Sequence, residues 1–151
     1  MNELDDLARR VGEAIPLTRY LEFSYGTFDG LALTVTAPLE PNCNDKGTFF
    51  AGSQAALVTL AGWSMTTLQA DHAGFPSDVV AVESHLRYTL PLQDEMQLCA
   101  TVSEEKVARF RQRLEQKGRA VLTVDVRGQS PAGEVVCEFQ GVYLARRPAN
   151  D

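Results

Sequence analysis

The chain has 151 residues, 44% of them hydrophobic and 23% charged, with a net charge of −6; that is the make-up and length of one soluble globular domain. The acidic balance, with a pI near 4.9, argues against a nucleic-acid partner. The start, MNELDDLARR, carries acids and no apolar run, so it does not read as a secretory signal, and Cys43, Cys99 and Cys137 lack disulfide or metal spacing, which fits free thiols in a reducing cytoplasm.

Leu4, Leu7, Ala8, Val11, Ala14 and Ile15 recur at helical spacing, with Asn2 as a cap and Pro16 as a stop. Two strands, Tyr20–Phe28 and Leu31–Leu39, follow around Asp29-Gly30, a strong hairpin signal. Leu31, Leu33, Val35 and Ala37 share one face of the second. A turn-rich loop, Pro38–Gly47, leads into a helix over Ala51–Ala70 with no clean polar face, which predicts burial on nearly all sides. Its length alone raises a membrane span, but Ser53, Gln54, Thr59, Ser64, Thr66, Thr67 and Gln69 and the lack of basic anchors argue against one. No membrane partner is expected.

The next strand, Val79–Leu90, places Val80, Val82, Ser84, Leu86 and Tyr88 on one face and Ala81, Glu83, His85, Arg87 and Thr89 on the other. Met96–Val102 alternates again. Glu104–Lys117, with Val107, Phe110 and Leu114 at helical spacing before Gly118, predicts a surface helix, although an edge strand reads similarly. Ala120–Arg127 and Val135–Ala145 are two last strands around a turn at Gly128–Gly133, and the tail from Arg146 is expected to fray. One apolar helix and about six mostly antiparallel strands predict an α+β chain whose curved sheet wraps the helix. That is the hotdog architecture, here a single domain over residues 1–151 with its core in 17–145.

The run NDKGTFFAGSQAALVT at Asn44–Thr59 resembles the hotdog thioesterase pattern Asn-x-x-Gly-Thr-x-His-Gly-Gly with a helix acid nine residues after the His. Here Phe50 stands at the His, Ala51-Gly52 at the Gly pair and Thr59 at the acid. VESHLRYTLP resembles the superfamily's strand after the helix, which ends in Tyr-x-x-Pro. The fuller run PNxNDKGTxFxGS…LAGW is similar to the thioesterase family of YiiD C-terminal-domain type, over roughly Leu17–Ala145. The resemblance implies obligate dimers, with dimers of dimers as a further step, and hydrolysis of acyl thioesters carried on coenzyme A or acyl carrier protein. No cofactor is implied.

Thioester hydrolysis needs donors for an oxyanion, a group that positions or deprotonates water, and an acyl pocket. The amides of Ala51 and Gly52, at the positive end of the helix, are the expected oxyanion hole, with Ser53 beside them. The resemblance gives Asn44 the role of orienting water or thioester. Thr59 cannot act as a base, and the helix has no carboxylate, so Glu83 is the expected replacement across a subunit boundary, with Thr59 bonding the water. His85 and Arg87 share its face, and an ion pair between Glu83 and Arg87 is the structural alternative. Phe50, Trp63 and Met65 are candidate pocket residues. The cations of Lys106–Arg119 are a candidate docking face for coenzyme A phosphates or an acidic carrier. Cys43 with His85 as a nucleophilic pair is weaker than an inert buried thiol, and His72 and His85 lack ligand-spaced companions, so no metal is expected. The rival functions are a non-catalytic acyl-thioester binder, which the missing helix acid favours, and a dehydratase or isomerase, which would want a His and a helix carboxylate together.

Overall fold

A computed structural model describes residues 2–149. Helix α1 spans Glu3–Ala14; Asn2 accepts from the Asp5 amide at 2.8 Å and the Asp5 carboxylate answers the Asn2 amide, a capping box. Leu7 and Val11 turn inward. Pro16 then opens a short 3-10 helix, Pro16–Leu21, whose last two residues, Tyr20 and Leu21, the sequence assigns to the first strand. Proline at the first helical position fixes φ. Glu22 follows at φ 52°, in the left-handed region, so extended chain resumes only at Ser24.

Strands β1 (Ser24–Phe28) and β2 (Ala32–Ala37) form the expected hairpin. Asp29 builds its turn by accepting from the amides of Leu31 and Ala32 at 2.9 and 2.7 Å, bonds that pull its carboxyl below the usual range. The long helix α2 runs Ala51–His72, 22 residues, and β3 covers Asp78–Tyr88. Strand β4 is Met96–Thr101. The segment Glu104–Lys117 is a helix, α3, because Ser103 caps its start and Gly118 ends it in the left-handed region. Strands β5 (Arg119–Gln129) and β6 (Val135–Arg146) run longer than the sequence suggests. Gly128 belongs to β5: a Cβ there would lie 2.6 Å from the Cys137 sulfur. The tail is held through Arg147, whose amide donates to Gly118 O at 2.9 Å and whose guanidinium sits 4.3 Å over the Phe75 ring. Asn150 and Asp151 of that tail lie outside the described residues.

The strands form one antiparallel sheet in the order β1-β2-β4-β5-β6-β3, curved around α2. This is the hotdog fold. Leu33 and Val35 of β2, Leu98 of β4, Val124 of β5 and Tyr143 of β6 pack inward against Leu57, Val58, Met65 and Leu68 of α2. Each such side chain contributes roughly 1.5–3 kcal/mol over leaving it in water. Gly62 lets Tyr143 approach α2: a Cβ there would lie 2.3 Å from its hydroxyl. No helix among the described residues is long and apolar enough to cross a membrane.

The carboxyl end of α2 is gripped from several sides. The Gln69 amide donates to Gly30 O at 2.7 Å, and its oxygen accepts from Arg111 at 3.4 Å. Asp71 pairs with Arg10 at 3.5 Å and His72 meets Glu3 at 2.7 Å. The amino end differs. Ala51, Gly52 and Thr59 are exposed, so the helix is not buried on nearly all sides; its first third is bare along one stripe.

The bulge in β3 changes which residues share a face. Ala81 pairs with Tyr143 and Glu83 with Val142, leaving Val82 between. Directly opposed residues share a face. The inner face of β3 therefore carries Val79, Ala81, Ser84, Leu86 and Tyr88, and the outer face Val80, Glu83, His85 and Arg87. The expected alternation holds only from Glu83 onward.

Candidate active site

The loop before α2 is a tight bridge. Cys43 pairs with Phe49, and Gly47 turns the chain at φ 76°. Asn44 holds it together. Its side-chain oxygen accepts from the amides of Lys46 and Thr48 at 2.8 and 3.0 Å, and its amide donates to the Thr48 hydroxyl at 2.8 Å. One N–H of that amide is left for anything else. Beneath it, Asn42 is 2% exposed and donates to Leu21 O and Pro38 O at 2.8 and 2.9 Å. Its own carbonyl accepts from the Phe50 amide. Asn42 thus fixes the angle at which the chain enters α2. The sequence reading passed it over, although an Asn after Pro in a turn is a signal for such a bond.

Phe50 is the N-cap of α2 and offers no side-chain cap. The amides of Ala51, Gly52 and Ser53 lie in the first turn, where no helical acceptor exists, and point outward at the positive end of the dipole. Ala51 and Gly52 are exposed and Ser53 half-buried. The Phe50 ring lies across Gly52: a Cβ on that glycine would sit 2.3 Å from a ring carbon. Phe50 is itself 51% exposed, so the ring is a loose cover rather than a core side chain. From the other side the Tyr88 hydroxyl donates to Ala51 O at 3.2 Å. Tyr88 is the Tyr of the Tyr-x-x-Pro strand end, and its signal was in the sequence without its contact.

A groove of about 520 Å³ lies along α2 from Ala55 to Trp63, one turn past the helix start. Ala55, Ala56, Thr59 and Trp63 floor it; Leu17 and Leu21 of the 3-10 helix and Val79–Ala81 of β3 wall it. Thr59 is exposed to this space, and its carbonyl accepts from Tyr143 at 2.9 Å. Burial pushes the Tyr143 phenol up, so it stays a neutral donor. Trp63 is fixed by donating to Val79 O at 3.0 Å. No carboxylate, imidazole, thiol or cationic side chain lines the groove. Met65 lies in the core, fully buried, and lines nothing.

Phe50, Ala51, Gly52, Ser53, Thr59 and Trp63 thus come together along one edge of α2, with Asn44 in the loop that feeds it. Glu83, His85 and Arg87 do not join them. They stand on the outer face of β3, which the bulge and pleat turn away from the helix. Glu83 is five residues, roughly 16 Å, from the Tyr88 end that meets Ala51. Arg87 pairs with Glu138 at 3.2 Å, not with Glu83. His85 lines an outer-face hollow with Cys99, so the Cys43–His85 pair does not form. Cys43 is exposed rather than buried; Cys137 is the buried thiol, and burial raises it to about 11. Among the described residues no three His, Cys, Asp or Glu side chains gather as a metal site.

The fold recurs in solved structures. A protein described as a putative thioesterase from Shewanella oneidensis matches at 27% identity and TM-score 0.82, over 95% of this chain and 96% of that one. A protein of unknown function from Chlorobaculum tepidum matches at 25% identity and TM-score 0.87, over 95% and 94%. A probable thioesterase from Pseudomonas aeruginosa, at 21% identity and TM-score 0.80 over 98% and 99%, shares the fold. A family model matches residues 4–147, nearly the whole length, and the chain belongs to the family it describes, "Putative thioesterase (yiiD_Cterm)".

Proposed function

We propose that the protein hydrolyses acyl thioesters carried on coenzyme A or acyl carrier protein, in a cleft completed by a second copy of the chain. The observation that carries this reading is the succession along α2 of exposed first-turn residues, whose amides have no helical acceptor, and, from Ala55 on, an apolar groove lined by no charged side chain among the described residues. The thioester carbonyl sits against the amides of Ala51 and Gly52, which stabilise the oxyanion as it forms; removing one such donor elsewhere costs roughly 10²–10³ in kcat. The acyl chain lies along Ala55, Thr59 and Trp63, under Leu17. Phe50 moves off Gly52 to admit it. Asn44, through its one free N–H, and Thr59 position the water. Glu83 takes no part in this scheme: it faces away from the helix, and two β3 strands paired with the Asp78 end of one beside the Tyr88 end of the other set Glu83 against its own copy, about 16 Å from either helix start.

The dimer follows from β3. It is an edge strand of 11 residues with one side unpaired, and its exposed residues include Val80 and Val82 at 55% and 59%. A long bare edge with apolar side chains favours pairing with a second copy.

A panel of acyl-coenzyme A and acyl-carrier substrates with thiol detection, beside direct binding measurements, tests the reading. Thiol release that drops at least tenfold in Thr59→Ala, with the melting temperature kept, supports it. Binding without release on every substrate replaces it by a non-catalytic acyl-thioester binder, the reading that the absent helix carboxylate favours. Glu83→Gln should keep full turnover; a loss of turnover with the melting temperature kept would bring Glu83 back as the water-activating group.

A further inference from the structure

The end of the sheet opposite the helix start is rich in cations. Arg119 of β5 stands directly across from Arg146 of β6, on one face. Like charges so opposed destabilise a sheet. Arg113 and Lys117, one turn apart on α3, line the same hollow as Arg119. Arg113, Lys117 and Arg119 have no carboxylate within 4 Å among the described residues, whereas Arg146 lies outside the hollow's lining and has Asp78 directly across from it on β3. The hollow measures about 350 Å³, and Val121 and Leu144, opposed across β5 and β6, give it an apolar floor. Three cations without an ion-pair partner around an apolar floor, in a chain of net charge −6, are a concentrated attraction for a multiply charged anion with a flat apolar part.

We infer that this corner holds the 3′-phosphorylated nucleotide end of a coenzyme A thioester, with the purine on Val121 and Leu144 and the phosphates on Arg113, Lys117 and Arg119. The inference rests on the hydrolase reading and its dimer. Within one protomer the corner is at the Asp78 end of β3, through Asp78 opposite Arg146, while the helix start is at the Tyr88 end. Those ends are about 33 Å apart along the strand. Antiparallel pairing of two β3 strands brings the Asp78 end of one beside the Tyr88 end of the other. Each corner then serves the partner's cleft, not its own. A hollow this small suits a nucleotide better than a carrier protein, whose docking needs roughly 800 Å² on each side.

Adenosine 3′,5′-bisphosphate, which has the nucleotide end but no acyl arm, is the direct probe. Calorimetry on the full chain should show binding that weakens at least tenfold in Arg113→Ser/Lys117→Ser and again in Arg119→Ser, with melting temperatures unchanged. In turnover, the same variants should raise KM for acyl-coenzyme A at least tenfold and leave kcat, and all constants for acyl-N-acetylcysteamine, as they are. Bisphosphate binding without any thioester hydrolysis keeps the nucleotide corner and fails the hydrolase reading alone. No bisphosphate binding at millimolar concentration, binding indifferent to the three substitutions, or a loss confined to acyl-carrier-protein substrates overturns the corner.

Discussion

Gly62 is small because Tyr143 occupies the place where its side chain would go. A Cβ there meets the ring carbons at 2.5 Å as well as the hydroxyl, and both residues are buried. Gly62→Ala should therefore cost about 1–3 kcal/mol in urea denaturation, and Tyr143→Phe on top should not rescue it, because the ring remains. Asn44 gives a different test. Asn44→Asp keeps the oxygen that two backbone amides need, whereas Asn44→Ala strips it and should destabilise by about 1 kcal/mol or more. If Asn44 also orients water through its N–H, Asn44→Asp should lower kcat with the melting temperature nearly kept; equal kcat in both proteins confines Asn44 to its loop. The three thiols separate in the same way. Exposed Cys43 should react quickly with a thiol reagent at pH 8, and Cys137 only when the chain unfolds, as mass spectrometry of the labelled peptides would show. At this scale the motif made Asn44, Ala51, Gly52 and Thr59 legible. Asn42 and Tyr88 were not, because their work lies in contacts to backbone carbonyls distant in sequence.

At the scale of elements, α3 and the β1–β2 hairpin could be read because their ends are chemically marked, by Ser103 and Gly118 and by Asp29-Gly30. Strand β3 could not be phased. Val79-Val80-Ala81-Val82 is four apolar residues in a row, and an alternation argument needs a polar residue to set its phase. The bulge at Val82 was invisible for that reason, and Glu83 fell on a face whose direction the sequence cannot specify. The 3-10 helix at Pro16–Leu21 hid in the same way, since Leu17, Tyr20 and Leu21 suit a strand as well as a helix turn. Its side chains are the groove's outer wall. Leu17→Asp should accordingly raise KM for long acyl chains more than for acetyl, with little change in stability because Leu17 is 65% exposed.

Over the whole molecule, the dimer and the alkaline limit of stability can be measured together. Val82→Lys places a charge on the bare edge of β3; sedimentation should then report a monomer, and thioester hydrolysis should be lost with it. A monomeric wild-type protein that still turns over would dispose of the shared cleft. Burial raises Cys137 to about 11 and Tyr25 to about 12, from ordinary values of 9.0 and 10.0. Both groups stay neutral in the fold while the unfolded chain ionises them, so their stabilisation is complete below pH 9 and drains away between about pH 9 and 12. Cys137→Ala should flatten the lower part of that decline. The grip on α2 is lopsided, with Gln69, Asp71 and His72 fastened and Ala51 and Gly52 bare. Deuterium uptake should register this as a slope along a single rod, early before Thr59 and late beyond Ser64. The end proposed to receive the carbonyl can breathe while the far end stays clamped, so on that reading ligand entry needs no loosening of the core.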